Sequence, residues 1–174
     1  MTDLRYPLGE FALPAKVSAD QRRAAVDAIA ALPGELRTAV EGLSDVQLDT
    51  VYRPGGWTVR QVVHHLPDSH MRSFLRLKLA LTEDVPTIGT YNEARWAELP
   101  DARAPIASSL ALLESLHERW VYLLRALEES AWSRRFNHPE IGVMRVDQLE
   151  ALYAWHSRHH VAHITTLKER EGWR

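Results

Sequence analysis

The 174-residue sequence contains no cysteine. That absence excludes disulfide staples, thiolate metal sites, iron–sulfur clusters and a cysteine nucleophile together. Charge imbalance is missing as well: 21 Lys and Arg stand against 23 Asp and Glu, a formal net charge of −2. A nucleic-acid binder working through a broad basic face needs a surplus that this chain lacks. No apolar run approaches the roughly 18 residues of a membrane-spanning helix. The N-terminal MTDLRYPLGEFALP has no basic region followed by an apolar stretch, so it does not read as a secretory signal. The expectation is a soluble, cytoplasmic protein with neither nucleic acid nor membrane as partner.

What is present is ordinary except in one respect. An apolar share of 45% and a charged share of 25% suit a globular domain. The length predicts a single domain over residues 1–174, large enough for its own core, with 1–17 as an extended arm punctuated by Pro7, Gly9 and Pro14. A helix is predicted from Ser18 or Asp20, kinked or split at Pro33–Gly34 and ending near Gly42. SDVQLDTVYRPGGW reads as a connector with at most a turn of helix. Thr58 caps a second long helix in which Val59, Val62, Val63 and Leu66 mark one apolar face and Pro67 predicts a kink. A long connection holds a short helix near Glu93–Leu99, and a third helix runs from Ile106 to Leu127. Residues 131–146 read as a loop or small hairpin. Asp147, with Glu150 in the capping-box position, opens a last helix that reaches about Arg170 and stops at Gly172. Four antiparallel helices around one core are the default architecture.

The unusual feature is histidine: nine in the chain, four of them in YAWHSRHHVAHI, at His156, His159, His160 and His163. On a helix, His160 and His163 fall within about 40° of His156, and His159 about 60° away. Leu149, Leu152, Tyr153 and Leu167 occupy the same sector, so the histidines share the core-facing stripe. His156 and His160, at i and i+4, can reach one ion above the helix surface. Imidazoles on a buried face are costly unless their nitrogens find partners. A metal supplies such partners, and carbonyls or carboxylates are the alternative. Candidates for a third ligand are His64, His65 and His70 in VVHHLPDSH. Spacing alone favours His70, which falls about 20° from Val59 with the other two on the flanks. The kink expected at Pro67 leaves all three open. His117 and His138 read as surface residues.

GGWTVRQVVHHL followed far downstream by YAWHSRHHVAHI resembles the DinB superfamily, in its YfiT-like branch. Tyr6–Gly9, Ala80–Asp84 and Arg95–Pro100 extend the likeness, which runs from about Tyr6 to Trp173. The resemblance implies an all-α four-helix bundle with long connections, commonly a homodimer, binding one divalent metal, zinc or nickel, through three histidines. It assigns those roles to His65, directly before Leu66, and to His156 and His160, so His65 takes the place that spacing gives to His70. Pro67 departs from the family pattern, which has a small non-proline residue there, and this bears on the orientation of His65.

Three neutral imidazoles leave a metal its charge and an open position, the catalytic rather than the structural pattern. Water activated at such a metal suits a hydrolase. The glutamate that zincins place beside their first histidine is absent, since Ser157 follows His156, so Asp68 or a residue of the long connection would serve as base. An external low-molecular-weight thiol needs less help, because coordination removes its proton. The leading expectation is therefore a metal-dependent transferase of the bacillithiol type, moving such a thiol to a small electrophile. A metal-dependent hydrolase is the alternative. A non-catalytic metal-binding stress-response module is a third reading, and it requires a fourth ligand such as His64 or His163. His163 and Asp68 are the candidates to support the ligands from behind. His159 and Arg158 read as a solvated face, Trp57, Trp120 and Trp155 as bundle packing, and Arg53 and Arg60 as cations open to an acidic cosubstrate.

Overall fold

The computed structural model describes residues 3–173. Six α-helices and one hairpin follow in the order α1 (Ala19–Val40), α2 (Asp45–Leu48), α3 (Val59–Thr82), α4 (Glu93–Trp96), α5 (Ala107–Arg125), β1 (Arg135–His138), β2 (Gly142–Arg145) and α6 (Val146–Glu171). Short 3-10 turns occupy Pro100–Arg103 and Glu129–Ser133. Local chemistry explains the boundaries. Ser18, Ser44 and Thr58 each accept a hydrogen bond from the backbone of a glutamine three residues on, and the glutamine side chain accepts from the cap's own N–H. Gly172 ends α6 in the left-handed conformation at φ 66°, which costs glycine nothing.

α1, α3, α5 and α6 build the bundle. α1 packs on α5 and α6, and α3 packs on the same two helices. α1 and α3 therefore stand on one diagonal, α5 and α6 on the other. Side-chain bonds fix the directions. His64 reaches Ser109 and His70 reaches His117, so α3 and α5 run parallel. His65 meets His156 and Ser69 meets Tyr153, so α3 and α6 run antiparallel. Arg22 pairs with Glu129 beyond the end of α5, and Arg37 with Glu114 inside it, which makes α1 and α5 antiparallel.

Two expectations are corrected. Pro33 does not split the first helix; α1 runs unbroken from Ala19 to Val40. Asp147 and Glu150 do not cap α6. The hairpin carries the chain straight to Arg145, where the Gln148 side chain accepts from the Arg145 N–H at 3.0 Å, and Asp147 instead pairs with the Arg145 guanidinium. Glu150 is turned into the core and fully buried. The hairpin pairs Phe136 with Met144, and both are fully buried against the bundle. The N-terminal segment lies on α6: Gln148 donates to the Pro14 carbonyl and His163 to the Arg5 carbonyl.

The apolar core is divided. One cluster gathers Ile29, Leu77, Trp120, Phe136 and Leu149, and the other gathers Leu32, Leu66, Leu113, Ile164 and Leu167. A layer of buried histidines lies on the helices that both clusters share. No helix among the described residues is long and apolar enough to cross a membrane.

Candidate metal centre

His65 on α3 and His156 and His160 on α6 converge, with one potential ligand atom from each lying within 4.8 Å of the others. The Nε2 atoms of His65 and His160 stand 3.3 and 3.2 Å from Nε2 of His156. The helix geometry explains this: i and i+4 on α6 face α3 across an antiparallel contact. Trp57, just before α3, covers the trio, with ring centroids 4.7 Å from His65 and 6.4 Å from His160. Its role is therefore not bundle packing alone.

A line of imidazoles crosses the bundle behind His156. His117 Nδ1 lies 2.6 Å from the Ile29 carbonyl, His117 Nε2 lies 2.9 Å from His70 Nδ1, and His70 Nε2 lies 3.0 Å from His156 Nδ1. A carbonyl only accepts, so His117 must donate from Nδ1. Its Nε2 then accepts from His70, whose Nε2 in turn accepts from His156 Nδ1–H. Nε2 of His156 is left as a bare lone pair facing His65 and His160. The start of the line is written in α1: Pro33 has no N–H, so the Ile29 carbonyl four residues earlier lacks its helical partner and is free for His117.

Burial keeps the trio neutral. Desolvation, then the neighbouring histidines, push His65 down to about 4 and hold His156 and His160 well below the usual imidazole range. Neutral imidazole is the form that binds a metal. Three neutral imidazoles on two facing helices, one of them with its Nε2 lone pair set toward the other two, are a donor set that fits a divalent ion. His160 also lies beside His159 and His163 in a second grouping, but Nε2 of His163 is taken by the Arg5 carbonyl at 3.0 Å.

The trio opens into a cavity of about 540 Å³, whose walls include Tyr52, Arg53, Arg76, Tyr91, His138 and Glu140. Several sequence expectations change here. His117, His138 and His159 are buried, not solvated. His117 is held inside by Ile29, and His159 by stacking on Trp155 at 4.3 Å. His138 Nδ1 accepts from the Glu140 N–H at the turn of the hairpin, 3.2 Å away. His70, favoured by spacing, is fully buried in the imidazole line behind His156 and not in the trio. His64 is bonded to Ser109 and to the Ala104 carbonyl, away from the trio. His163 stacks on Tyr52 at 3.9 Å. Asp68 lies in a small neighbouring pocket with His64 and His65 and does not line the main cavity. Arg60 is held by Asp45 and Asp49, leaving Arg5, Arg53 and Arg76 as cations at the cavity. The sequence reading missed Arg76 and the role of Pro33. The signal for the first is its position on the His65 face of α3; for the second, its place four residues after Ile29.

The fold has close counterparts. Residues 28–164 match the family model of the DinB superfamily. A Bacillus cereus (strain 03BB102) protein named "Putative metal-dependent hydrolase" is 53% identical over 99% of this chain and 100% of its own. A Bacillus anthracis (strain A0248) protein of the same name is 52% identical over the same shares. The solved structure of YfiT from Bacillus subtilis, described as a probable metal-dependent hydrolase with an unusual four-helix bundle topology, superposes with a TM-score of 0.95. It is 48% identical and covers 98% of this chain and 99% of its own. The chain belongs to the DinB superfamily.

Proposed function

We propose that this protein is a metal-dependent enzyme in which His65, His156 and His160 hold one divalent ion, zinc or nickel, beside a cavity for a small-molecule substrate. The observation that carries the reading is the convergence of three neutral imidazoles, two buried and one half-buried, on the wall of that cavity. Held by these three neutral imidazoles, a divalent ion would keep its full charge and would supply Lewis-acid activation of a nucleophile near neutral pH. The chain's own residues supply the setting. The imidazole line holds the His156 ring and its tautomer, Trp57 shields the trio from solvent on one side, and Glu93 and Glu140 are the carboxylates able to take up a proton at the cavity.

Hydrolysis by water is the reaction we favour, supported by those two carboxylates and by the names of the relatives. Transfer of an external low-molecular-weight thiol to an electrophile is the second reading. It is favoured by the absence of any carboxylate hydrogen-bonded to the three histidines among the described residues. The resemblance to the YfiT-like branch adds a cytoplasmic homodimer to the proposal.

Plasma mass spectrometry on wild type, His65→Ala and His160→Ala tests the centre. About one zinc or nickel per chain, lost in both variants, is the expected result; no retained metal after reconstitution would sink the proposal. Turnover of esters or amides without thiol supports hydrolysis, and conjugation of a haloarene only with added thiol reverses the order of the two readings.

A further inference from the structure

Two guanidinium groups are buried in this molecule's polar layers, and they are treated differently. Arg60, 7% exposed, is paired with Asp45 at 2.7 Å and Asp49 at 2.6 Å. Arg76, 8% exposed, forms no ion pair with any described residue. Its Nη2 donates to the Gly89 carbonyl at 3.2 Å, and its buried Nε has no partner. A buried charge without a counterion is among the costlier things a fold can retain. This one lies in the wall of the cavity that the histidine trio opens into. Arg5 and Arg53 line the same cavity without ion pairs to any described residue, against Glu93 and Glu140.

The geometry points to a carboxylate-bearing substrate, whose carboxylate pairs with Arg76 while the reacting group lies at the three histidines. The inference deepens the proposed function and rests on its reading of the centre. Arg76 follows His65 by eleven residues on α3, which places it within about 20° on the same helix face and roughly 16 Å further along the axis. Helical side chains lean toward the N-terminus, so the guanidinium extends back toward His65 and shortens that span. A planar guanidinium presents parallel N–H donors that match a planar carboxylate, and one unpaired positive charge matches one negative charge. Arg5 and Arg53 are offset by Glu93 and Glu140 in the same walls, so a dianionic phosphate asks for more net cation than the cavity supplies.

Isothermal calorimetry tests this with benzoate, the uncharged isostere benzamide and inorganic phosphate, on metal-loaded and metal-stripped protein and on Arg76→Met. Benzoate is expected to bind and benzamide not to. Arg76→Met should weaken benzoate by roughly 10- to 100-fold, the worth of charge-assisted hydrogen bonds, with or without metal. The thermal midpoint of the free variant should be unchanged or raised, because an unpaired buried charge has been removed. Benzoate binding that survives in Arg76→Met but vanishes on stripping the metal would overturn the inference, because the anion then sits on the ion. So would phosphate binding tighter than benzoate through Arg76. A lowered midpoint in Arg76→Met, with no benzoate binding to wild type, would make Arg76 only a strut for Gly89. Failure of the metal reading appears separately, as protein that retains no metal, and leaves the metal-free arm intact.

Discussion

Glu150 is a carboxyl placed where it cannot easily ionise. It lies on α6, fully buried, and neither oxygen has a hydrogen-bond partner among the described residues. Desolvation pushes it up from its ordinary 4.5 to about 8, and the nearby Trp120 indole N–H pulls only partly the other way. Between those two values the folded chain keeps a proton that the unfolded chain releases. Stability therefore falls as pH rises from 4.5 to 8, and this contribution is flat outside that window. At 1.36 kcal/mol per pH unit the whole loss is ~5 kcal/mol. Glu150→Gln keeps the shape and removes the titration. The variant should stay within ~1 kcal/mol of wild type at pH 5 and exceed it by ~4 kcal/mol at pH 8. For a chain of this size that is on the order of 10 °C in Tm. Urea denaturation of metal-free protein at pH 5, 6, 7 and 8 reads the effect. The difference between variant and wild type is the quantity to follow, because the buried histidines titrate nearby with the opposite sign. Desolvation lowers their folded pKa, so their contribution to stability is present above the unfolded value near 6.5 and is lost as pH falls toward about 4 for His65 and His117. A variant-minus-wild-type difference that stays constant from pH 5 to pH 8 would show that Glu150 ionises normally and would refute the reasoning.

The imidazole line predicts that His70→Ala still takes up one ion per chain at saturating metal but binds it about 10- to 100-fold more weakly, as removal of groups that orient metal ligands does. Competition with a chelating dye measures this, and an unchanged affinity would show that the line does not hold His156. Gly56→Ala should cost about 1–3 kcal/mol of stability. Its Cβ would stand 2.7 Å from Arg53 Cγ and 3.1 Å from the Tyr52 ring, forcing the cavity rim to move. Denaturation reads the cost, and metal content should be unaffected.

Much of this protein was legible in its sequence because the determinants are local. The caps at Ser18 and Thr58, the stop at Gly172 and the apolar spacing from Val59 to Leu66 depend on residues within one or two helical turns. So does the reach of His156 and His160 toward a common point. The choice among His64, His65 and His70 was different in kind. All three are buried, and each faces a different partner: Ser109 on α5, His156 on α6, and His117 with His156 together. Helical periodicity gives a direction from one axis; which neighbour lies in that direction depends on how four helices are placed, and resemblance rather than spacing pointed to His65. Tertiary structure alone decided that α1 and α3 stand on a diagonal and that His117 and His138 are interior. It likewise decided that the carbonyl freed by Pro33 anchors a line of imidazoles ending at the candidate centre. The physical reason is the same in each case. A sequence specifies what each side chain can bond to, but burial and pairing are properties of groups brought together from distant positions, and only packing supplies the partner.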